Sequence, residues 1–453
     1  MSASCLRQRY QRAIHRRVIA IAWPMIIAGA SGPLLGVVDT AILGHLDSAR
    51  YLSAVAIGAS ALTLVLWLLS FLRMGTTGLV ARAWGQGSQQ RCRELLWQSL
   101  VLAFALGALL IVVQAPLLQL ILWLLGPSDE IYGIALEYCQ IRIWAAPATL
   151  CSYAAIGWLL GLQRARQTLV IMVVVNGANI GLDFLFIVGF QMNSAGAAWA
   201  SLLAEYLGLA VALLFVRHQL AHLSGYVAPR QLLQLHSYRR LLVVNRDLFL
   251  RTACAVFVFT FFTAQGARLG SEVVAANAIL IQLVLLVSYG LDGFAHAAES
   301  LSGQAVGARK LQRFYGVCRA CGVWGVTIAA VASGLYGVFQ GAIVSVFTDL
   351  PEVATLANTY YAWLVAVPLL ATVCYTLDGV FLGAGRTREM RNTMFAALVL
   401  FLGGWWLTLP WGNTGLWLSF CVFMGARSLF MGLAFWRLSQ QGWFLFRHLH
   451  KTP

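Results

Sequence analysis

Apolar runs of about twenty residues follow one another along the whole chain, each long enough to cross a bilayer. They fall at roughly 18–45, 51–74, 95–115, 134–157, 167–190, 195–217, 241–266, 273–299, 314–347, 354–380, 392–410 and 414–437. The ninth is long for one crossing and reads as broken or partly interfacial. Connections are short except 218–240, which reads as a linker between halves. Porin-type barrels need short alternating segments and are excluded. The pattern predicts an all-α polytopic membrane protein with twelve transmembrane helices. It divides into a tail (1–17), an N-terminal six-helix lobe (18–217), the linker (218–240), a C-terminal six-helix lobe (241–437) and a tail (438–453).

A repeat strengthens this division. Gly157–Arg166 reads GWLLGLQRAR and Gly379–Arg388 reads GVFLGAGRTR, a shift of 222 residues with five of ten positions identical. The same shift relates Ser53–Ile57 (SAVAI) to Ala275–Ile279 (AANAI). It also relates Ala83, Gly85 and Arg91 to Ala305, Gly307 and Arg313. Each half holds six spans, so both share one orientation and form a parallel repeat, with a substrate path expected near the interface of the halves.

Composition agrees. Of 453 residues 60% are apolar and 10% charged, where soluble proteins carry about 25% charge. The net charge of +15 would suit nucleic acid, but the basic residues sit in small clusters between apolar runs, as the positive-inside rule requires. One side takes the N-terminal tail, Arg82, Arg91, Arg93, Arg164, Arg166, the linker, the group from Arg309 to Arg319, Arg386, Arg388, Arg391 and the C-terminal tail. The other carries little beyond Arg50 and Arg268, with acids at Asp47, Asp129, Glu130, Glu272, Asp349 and Glu352. Both termini are therefore expected in the cytoplasm, with the chain multi-pass in the cell's inner membrane. The basic N-terminus is expected to be a cytoplasmic tail before a retained helix, since the apolar run after it is too long for a signal's apolar region and contains an acid. Nine cysteines are scattered, mostly within spans. Cys318 and Cys321 form a lone C-x-x-C, short of the roughly four ligands a metal site needs. No metal, no cofactor and no nucleic-acid partner is expected.

The first span carries the most informative polar residue. It contains Pro24, Pro33 and Asp39. A charged Asp near the bilayer centre costs about 2.5–3.5 kcal/mol on insertion scales. In span five Asn176, Asn179 and Asp183 lie at i, i+3 and i+7, one helix face. Asp183 is about 26 Å from the cytoplasmic Arg166, and Asp39 about 33 Å from Arg17, at 1.5 Å per residue. Both acids thus lie in the outer half at comparable depth, within range of Ser201 on span six. Two carboxylates in low dielectric cannot both ionise cheaply, so such a pair keeps a proton, and its hard oxygen ligands equally suit sodium. The prolines remove backbone hydrogen bonds and allow a kink, so a charge change at Asp39 could act as a switch. The repeat places Phe261 and Trp405 opposite Asp39 and Asp183, so the first half alone carries the pair.

A second set lies near the cytoplasmic ends of spans two and eight. Arg73 occupies a depth matching Asp292, His296 and Glu299, which share one helix face. A salt bridge closing the inner side is expected from Arg73, Asp292 and Glu299. Glu205, Asp378, Arg142 and Arg427 are single charges within spans. Glu205 and Asp378 are candidates for substrate contact or for structural pairing.

The stretches PMIIAGASGPLLGVVDTAILGHL from Pro24, Asn179–Phe190, LDGFAHAAESLSGQAVGAR from Leu291 and LDGVFLGAGRTREMRN from Leu377 resemble the multidrug and toxic compound extrusion (MATE) family, in its DinF branch. The resemblance covers essentially the whole chain. It implies two pseudo-symmetric six-helix bundles in a V, and export of organic, mostly cationic compounds in exchange for H⁺ or Na⁺. It associates a cation site with Asp39, Asn179, Asp183 and Ser201, and the bend of the first helix with Pro24. The NorM branch uses an acid in span seven, and this chain has none within Leu248–Gln265. A lipid-linked oligosaccharide flippase is the alternative. A pyrophosphate headgroup would demand several cations in one cavity, and only Arg73, Arg142, Arg251 and Arg427 lie within or at the ends of spans. An enzyme is not expected, since no H-E-x-x-H, G-x-S-x-G or P-loop is present. A channel would leave the proline-bearing acid helix unexplained. One copy of the chain suffices for such a path, so a monomer is expected, with small organic cations and the bilayer as its partners.

Overall fold

With no water in a bilayer, each backbone amide must find its partner within the segment, and a helix does this completely. The computed structural model describes residues 3–44, 48–232 and 234–442, and among these every regular element is a helix. The expected C-terminal tail lies outside them from residue 443. The first part of the chain holds α1 (Ala3–Gly44), α2 (Ala49–Leu68), α3 (Phe71–Gly85), α4 (Gln89–Val112), α5 (Gln114–Leu125) and α6 (Asp129–Arg142). Then follow α7 (Ala146–Gly161), α8 (Ala165–Asp183), α9 (Asn193–Ala221) and the short α10 (Pro229–Leu232). The second part holds α11 (Leu235–Arg268), α12 (Ser271–Gly307), α13 (Leu311–Val338), α14 (Gln340–Phe347), α15 (Pro351–Ala384), α16 (Thr387–Leu407) and α17 (Asn413–Gln440).

Eleven helical stretches among the described residues are long and apolar enough to span a membrane. They match eleven of the twelve expected spans; the remaining one, 392–410, is the 21-residue α16. The ninth divides at Phe339 into α13 and α14. The expected linker is shorter than its bounds, because α9 continues to Ala221 and α11 begins at Leu235. The pattern reading did not register α5, a 12-residue apolar helix following α4.

The 222-residue repeat is written into the helix ends. The starts of α2, α4, α6 and α8 (49, 89, 129, 165) recur as the starts of α12, α13, α15 and α16 (271, 311, 351, 387). The ends of α3 and α5 (85, 125) recur as those of α12 and α14 (307, 347). Left-handed backbone recurs too: Gly87 (φ 74°) pairs with Arg309 (φ 54°), and Gln163 (φ 64°) with Gly385 (φ 74°). Packing follows. Gly157 on α7 lies against the Arg73 carbonyl of α3, and its counterpart Gly379 on α15 lies against the Ala295 carbonyl of α12. A Cβ at either glycine would overlap that carbonyl, so the crossing demands glycine.

Two compact units result. One comprises 27–84 and 88–245; the other comprises 1–26, 85–87 and 246–453. The first packs Leu43, Val55, Leu62, Leu118, Tyr138 and Ile143 into one core. In the second, Asn277 and Asn413 exchange amide hydrogen bonds (2.8 and 3.0 Å), and Trp417 Nε1 donates to Asn277 Oδ1 at 2.8 Å. That buried knot ties α12 to α17. Helix α1 runs unbroken through both prolines, yet its unit membership changes at Ile26/Ile27, between Pro24 and Pro33.

Candidate ion-coupling site

Asp39 and Asp183 lie in the N-terminal unit with their carboxyls in mutual hydrogen-bonding reach. Asp39 is half-buried five residues before the end of α1, and its Oδ1 is buried without a partner among the described residues. Asp183 is 1% exposed and ends α8. The next six residues, Phe184–Gly189, form a π-helical turn, a distortion frequent at functional sites. Phe190 N donates to Leu185 O at 2.9 Å across it.

Asn179, one turn before Asp183, is 2% exposed. Its Nδ2 donates to Asp183 Oδ2 at 3.0 Å, while its Oδ1 accepts from Ser201 Oγ (3.0 Å) and Ser201 N (3.1 Å). The amide thus fixes one carboxylate oxygen of α8 and the backbone of α9 together. Asn176 is placed elsewhere: its Nδ2 donates to Ser31 Oγ at 2.7 Å, and Ser31 Oγ donates to the Ala28 carbonyl at 2.6 Å. It therefore ties α8 to the segment of α1 between the prolines, and does not join the carboxyl pair. Pro24 is buried and Pro33 half-buried.

The spacing of acids along the chain did not point to Arg142. Its guanidinium acts electrostatically on Asp39, Asp183 and Glu205, and on Tyr138 one turn earlier on α6. Glu205 and Arg73 both act on Tyr153. The signal that could have exposed Arg142 is its depth, fourteen residues into the 33-residue stretch Asp129–Gly161. A mid-membrane arginine demands carboxylate company.

The equivalent positions of the other unit are aromatic. Asp39, Asn179, Asp183 and Ser201 map at 222 residues onto Phe261, Phe401, Trp405 and Phe423. These aromatics pack together: Phe261 lies 5.7 Å from Phe401 and 4.9 Å from Trp405, and Phe401 5.9 Å from Phe423, ring centre to ring centre. Glu205 maps onto Arg427, a reversal of charge. Arg427 Nη2 donates to Asp378 Oδ2 at 3.0 Å, and Arg251 pairs with the same oxygen. Asp378 is thus a paired structural charge, with Arg427 also over the Phe423 ring at 5.5 Å. Asp247, which the sequence reading passed over, is 2% exposed and accepts from Arg391 at 2.8 Å.

Of the inner-gate candidates, Arg73 belongs to the N-terminal unit, and Asp292 and Glu299 to the other. Asp292 acts on Tyr375 and Arg427; Glu299 is buried with its Oε2 3.8 Å from His296 Nδ1. Among the described residues no group of three or more His, Cys, Asp or Glu could hold a metal ion, and Cys318 and Cys321 are free thiols.

Known proteins share this architecture. The family profile described as MatE matches residues 24–185 and 248–405, one segment in each half. The DNA damage-inducible protein F of Escherichia coli K12 is 42% identical over 420 residues, covering 92% of this chain and 91% of its own length. A "Probable multidrug resistance protein NorM" of Thermotoga maritima is 24% identical over 88% of this chain and 84% of its own. A solved structure titled as the outward-facing conformation of a multidrug resistance MATE family transporter of the MOP superfamily superposes with a TM-score of 0.85. It has 18% identity and covers 94% of this chain and 96% of its own.

Proposed function

This chain belongs to the MATE family of multi-pass membrane transporters, and from that premise we propose that it exports organic, mostly cationic compounds in exchange for H⁺ or Na⁺ by alternating access. Members of the family are transporters, not enzymes, and the reading needs no resident cofactor. The observation that carries it is the Asp39–Asp183 pair, with Asn179 donating to the second carboxyl and itself held by Ser201. Two acids cannot both stay charged in so dry a place, so the pair takes a proton or a sodium ion. Neutralising Asp39 changes the electrostatics of a helix whose unit membership switches beside Pro24. This supports a bend there as the step that links ion binding to access. The relatives named for multidrug resistance support drugs as substrates.

The same reading sets both termini in the cytoplasm, the chain in the inner membrane, and one copy as the working unit. A lipid-linked oligosaccharide flippase is not favoured. Within the C-terminal unit Arg251 and Arg427 are both paired with Asp378, which argues against their serving a pyrophosphate. The experiment is flux of a fluorescent organic cation in proteoliposomes under an imposed pH or sodium gradient. Flux driven by one gradient and abolished in Asp39→Asn supports antiport and names the ion. Gradient-driven flux that survives in Asp39→Asn removes the pair from the mechanism.

A further inference from the structure

Between α6 and α9 the N-terminal unit carries a cavity of about 440 Å³, lined by Gln140, Ile141, Trp144, Trp199, Leu202 and Tyr206. A second cavity of about 320 Å³ adjoins it against α5, sharing Gln140 and Trp144 and adding Gln114 and Gln119. Together they form a groove in the size range of small-molecule sites. Its rings are open to an incoming molecule: Trp144, Trp199 and Tyr206 are 51%, 42% and 44% exposed.

The aromatic wall is held by a hydrogen bond. Trp144 lies in a 3₁₀ turn, Ile143–Ala145, where its carbonyl would look three residues on for a donor. That residue is Pro147, which has no N–H. The Tyr206 hydroxyl of α9 donates to the Trp144 carbonyl at 3.1 Å. Depth sets these rings apart from an interfacial belt, which sits at headgroup level. Trp144 is fifteen residues from the start of α6 and Tyr206 thirteen from the start of α9, about 22 and 20 Å at 1.5 Å per residue. Both are near the middle of their apolar stretches, Asp129–Gly161 and Asn193–Ala221.

An unused acid stands on the same face. Glu137, Gln140, Ile141 and Trp144 follow one another at i, i+3, i+4 and i+7 along α6. Glu137 is exposed and has neither hydrogen-bond nor ion-pair partner among the described residues. It lies eight residues into α6, about 12 Å along it, and an acid at such depth marks a functional site by default. Neither cavity lining includes a Lys, Arg or His. Arg142 turns away and lines a separate small cavity with Leu62, Val65 and Leu66 of α2. Ring faces carry negative potential, and the amide oxygens of Gln114, Gln119 and Gln140 and the Glu137 carboxyl add to it. A lipid acyl chain would gain nothing from the amides or the acid.

We propose that this groove binds a lipophilic organic cation, held by the ring faces of Trp144, Trp199 and Tyr206 and by the charge of Glu137, at a site apart from the Asp39–Asp183 pair. The site goes beyond the transport reading and does not rest on ion coupling, because binding there needs no gradient.

The test is photolabelling of the full chain in detergent with ethidium monoazide, read by peptide mass spectrometry. Tetraphenylphosphonium is the competitor, and tetraphenylborate, of the same shape and opposite charge, is its control. Label is expected on segments 140–144 and 199–206, displaced by tetraphenylphosphonium and not by tetraphenylborate. The half-displacing concentration of tetraphenylphosphonium should rise about five- to thirtyfold in Trp144→Leu, the loss of one desolvated cation–π contact. Glu137→Gln should raise it about two- to fivefold. Labelling should persist in Asp39→Asn. Label confined to other segments, equal displacement by tetraphenylborate, or loss of label in Asp39→Asn overturns the inference. Displacement by phosphatidylglycerol but not by tetraphenylphosphonium also overturns it, since an acyl chain is then the occupant. If Trp144→Leu does not purify, the exposed and nearly isosteric Glu137→Gln decides: an unchanged half-displacing concentration overturns the proposal. No arm uses a gradient, so the ion-coupling reading can fail without moving any of them.

Discussion

Asn179→Leu removes the amide hydrogen bond to the carboxylate of Asp183, half of the proposed coupling pair. The amide donates to Asp183 Oδ2 at 3.0 Å, and Asp183 is 1% exposed, so no solvent stands ready to replace the donor. A bond from a neutral donor to a charged acceptor is worth about 1.5–3 kcal/mol. At 1.36 kcal/mol per pH unit this is about one to two units. The sign follows from the donor: an N–H stabilises the anionic carboxylate, so its loss favours the protonated pair and delays proton release to higher pH. Leucine nearly matches asparagine in volume, so packing changes little. The assay is initial flux of a fluorescent cation in proteoliposomes from pH 5 to 9 at fixed sodium. The midpoint is expected to rise by about one to two units, and Ser201→Ala on top is expected to add little, because Ser201 meets the site through Asn179. A midpoint that stays put or falls refutes the argument, and so does a large added effect of Ser201→Ala.

Three further outcomes follow from the same geometry. Gly157→Val and Gly379→Val should each abolish monodisperse protein in detergent, while Gly403→Val, which meets open space, should purify normally; a well-behaved Gly379→Val would break the duplicated-crossing argument. Asn277→Leu strands the Asn413 amide and the Trp417 indole. It should lower thermal stability by about 1–3 kcal/mol, and Asn413→Leu added to it should cost less than it does alone. Asp378→Asn leaves Arg251 and Arg427 without their carboxylate, a loss of about 3–5 kcal/mol for a broken buried pair; Asp39→Asn should unfold near the wild-type temperature, and equal melting of the two variants would refute the contrast.

Apolar periodicity made the helices legible because a bilayer leaves the backbone no other choice. It placed eleven of the spans and hinted at the break in the ninth. It missed α5, which is too short for a crossing and is set apart from α4 only by the turn at Val113. The site was legible in part. Depth counted from flanking arginines put Asp39 and Asp183 on one level, and the structure sets their carboxyls side by side. Shared helix face, however, does not say which neighbour a side chain meets. Asn176 and Asn179 differ by three residues, yet one ties to Ser31 and the other to Asp183 and Ser201. The π turn after Asp183 has no signature in its composition. Arg142 was visible as a charge, but its partners lie on three other helices far apart in sequence.

The repeat explains why the chemistry is lopsided. Both halves keep the same helix ends, the same left-handed turns and the same glycine crossings, because these determine whether six helices pack at all. The positions facing the lobe interior are free of that constraint. In the first half they are Asp39, Asn179, Asp183, Ser201 and Glu205; in the second they are Phe261, Phe401, Trp405, Phe423 and Arg427. Rings in edge-to-face contact occupy those positions of the second half, and Arg427 is paired with Asp378. The proposed cation site therefore has no carboxylate counterpart at the matching positions of the second half. Under the proposed coupling, the ion is expected to act on the first lobe alone, because the second carries aromatic rings at the matching positions.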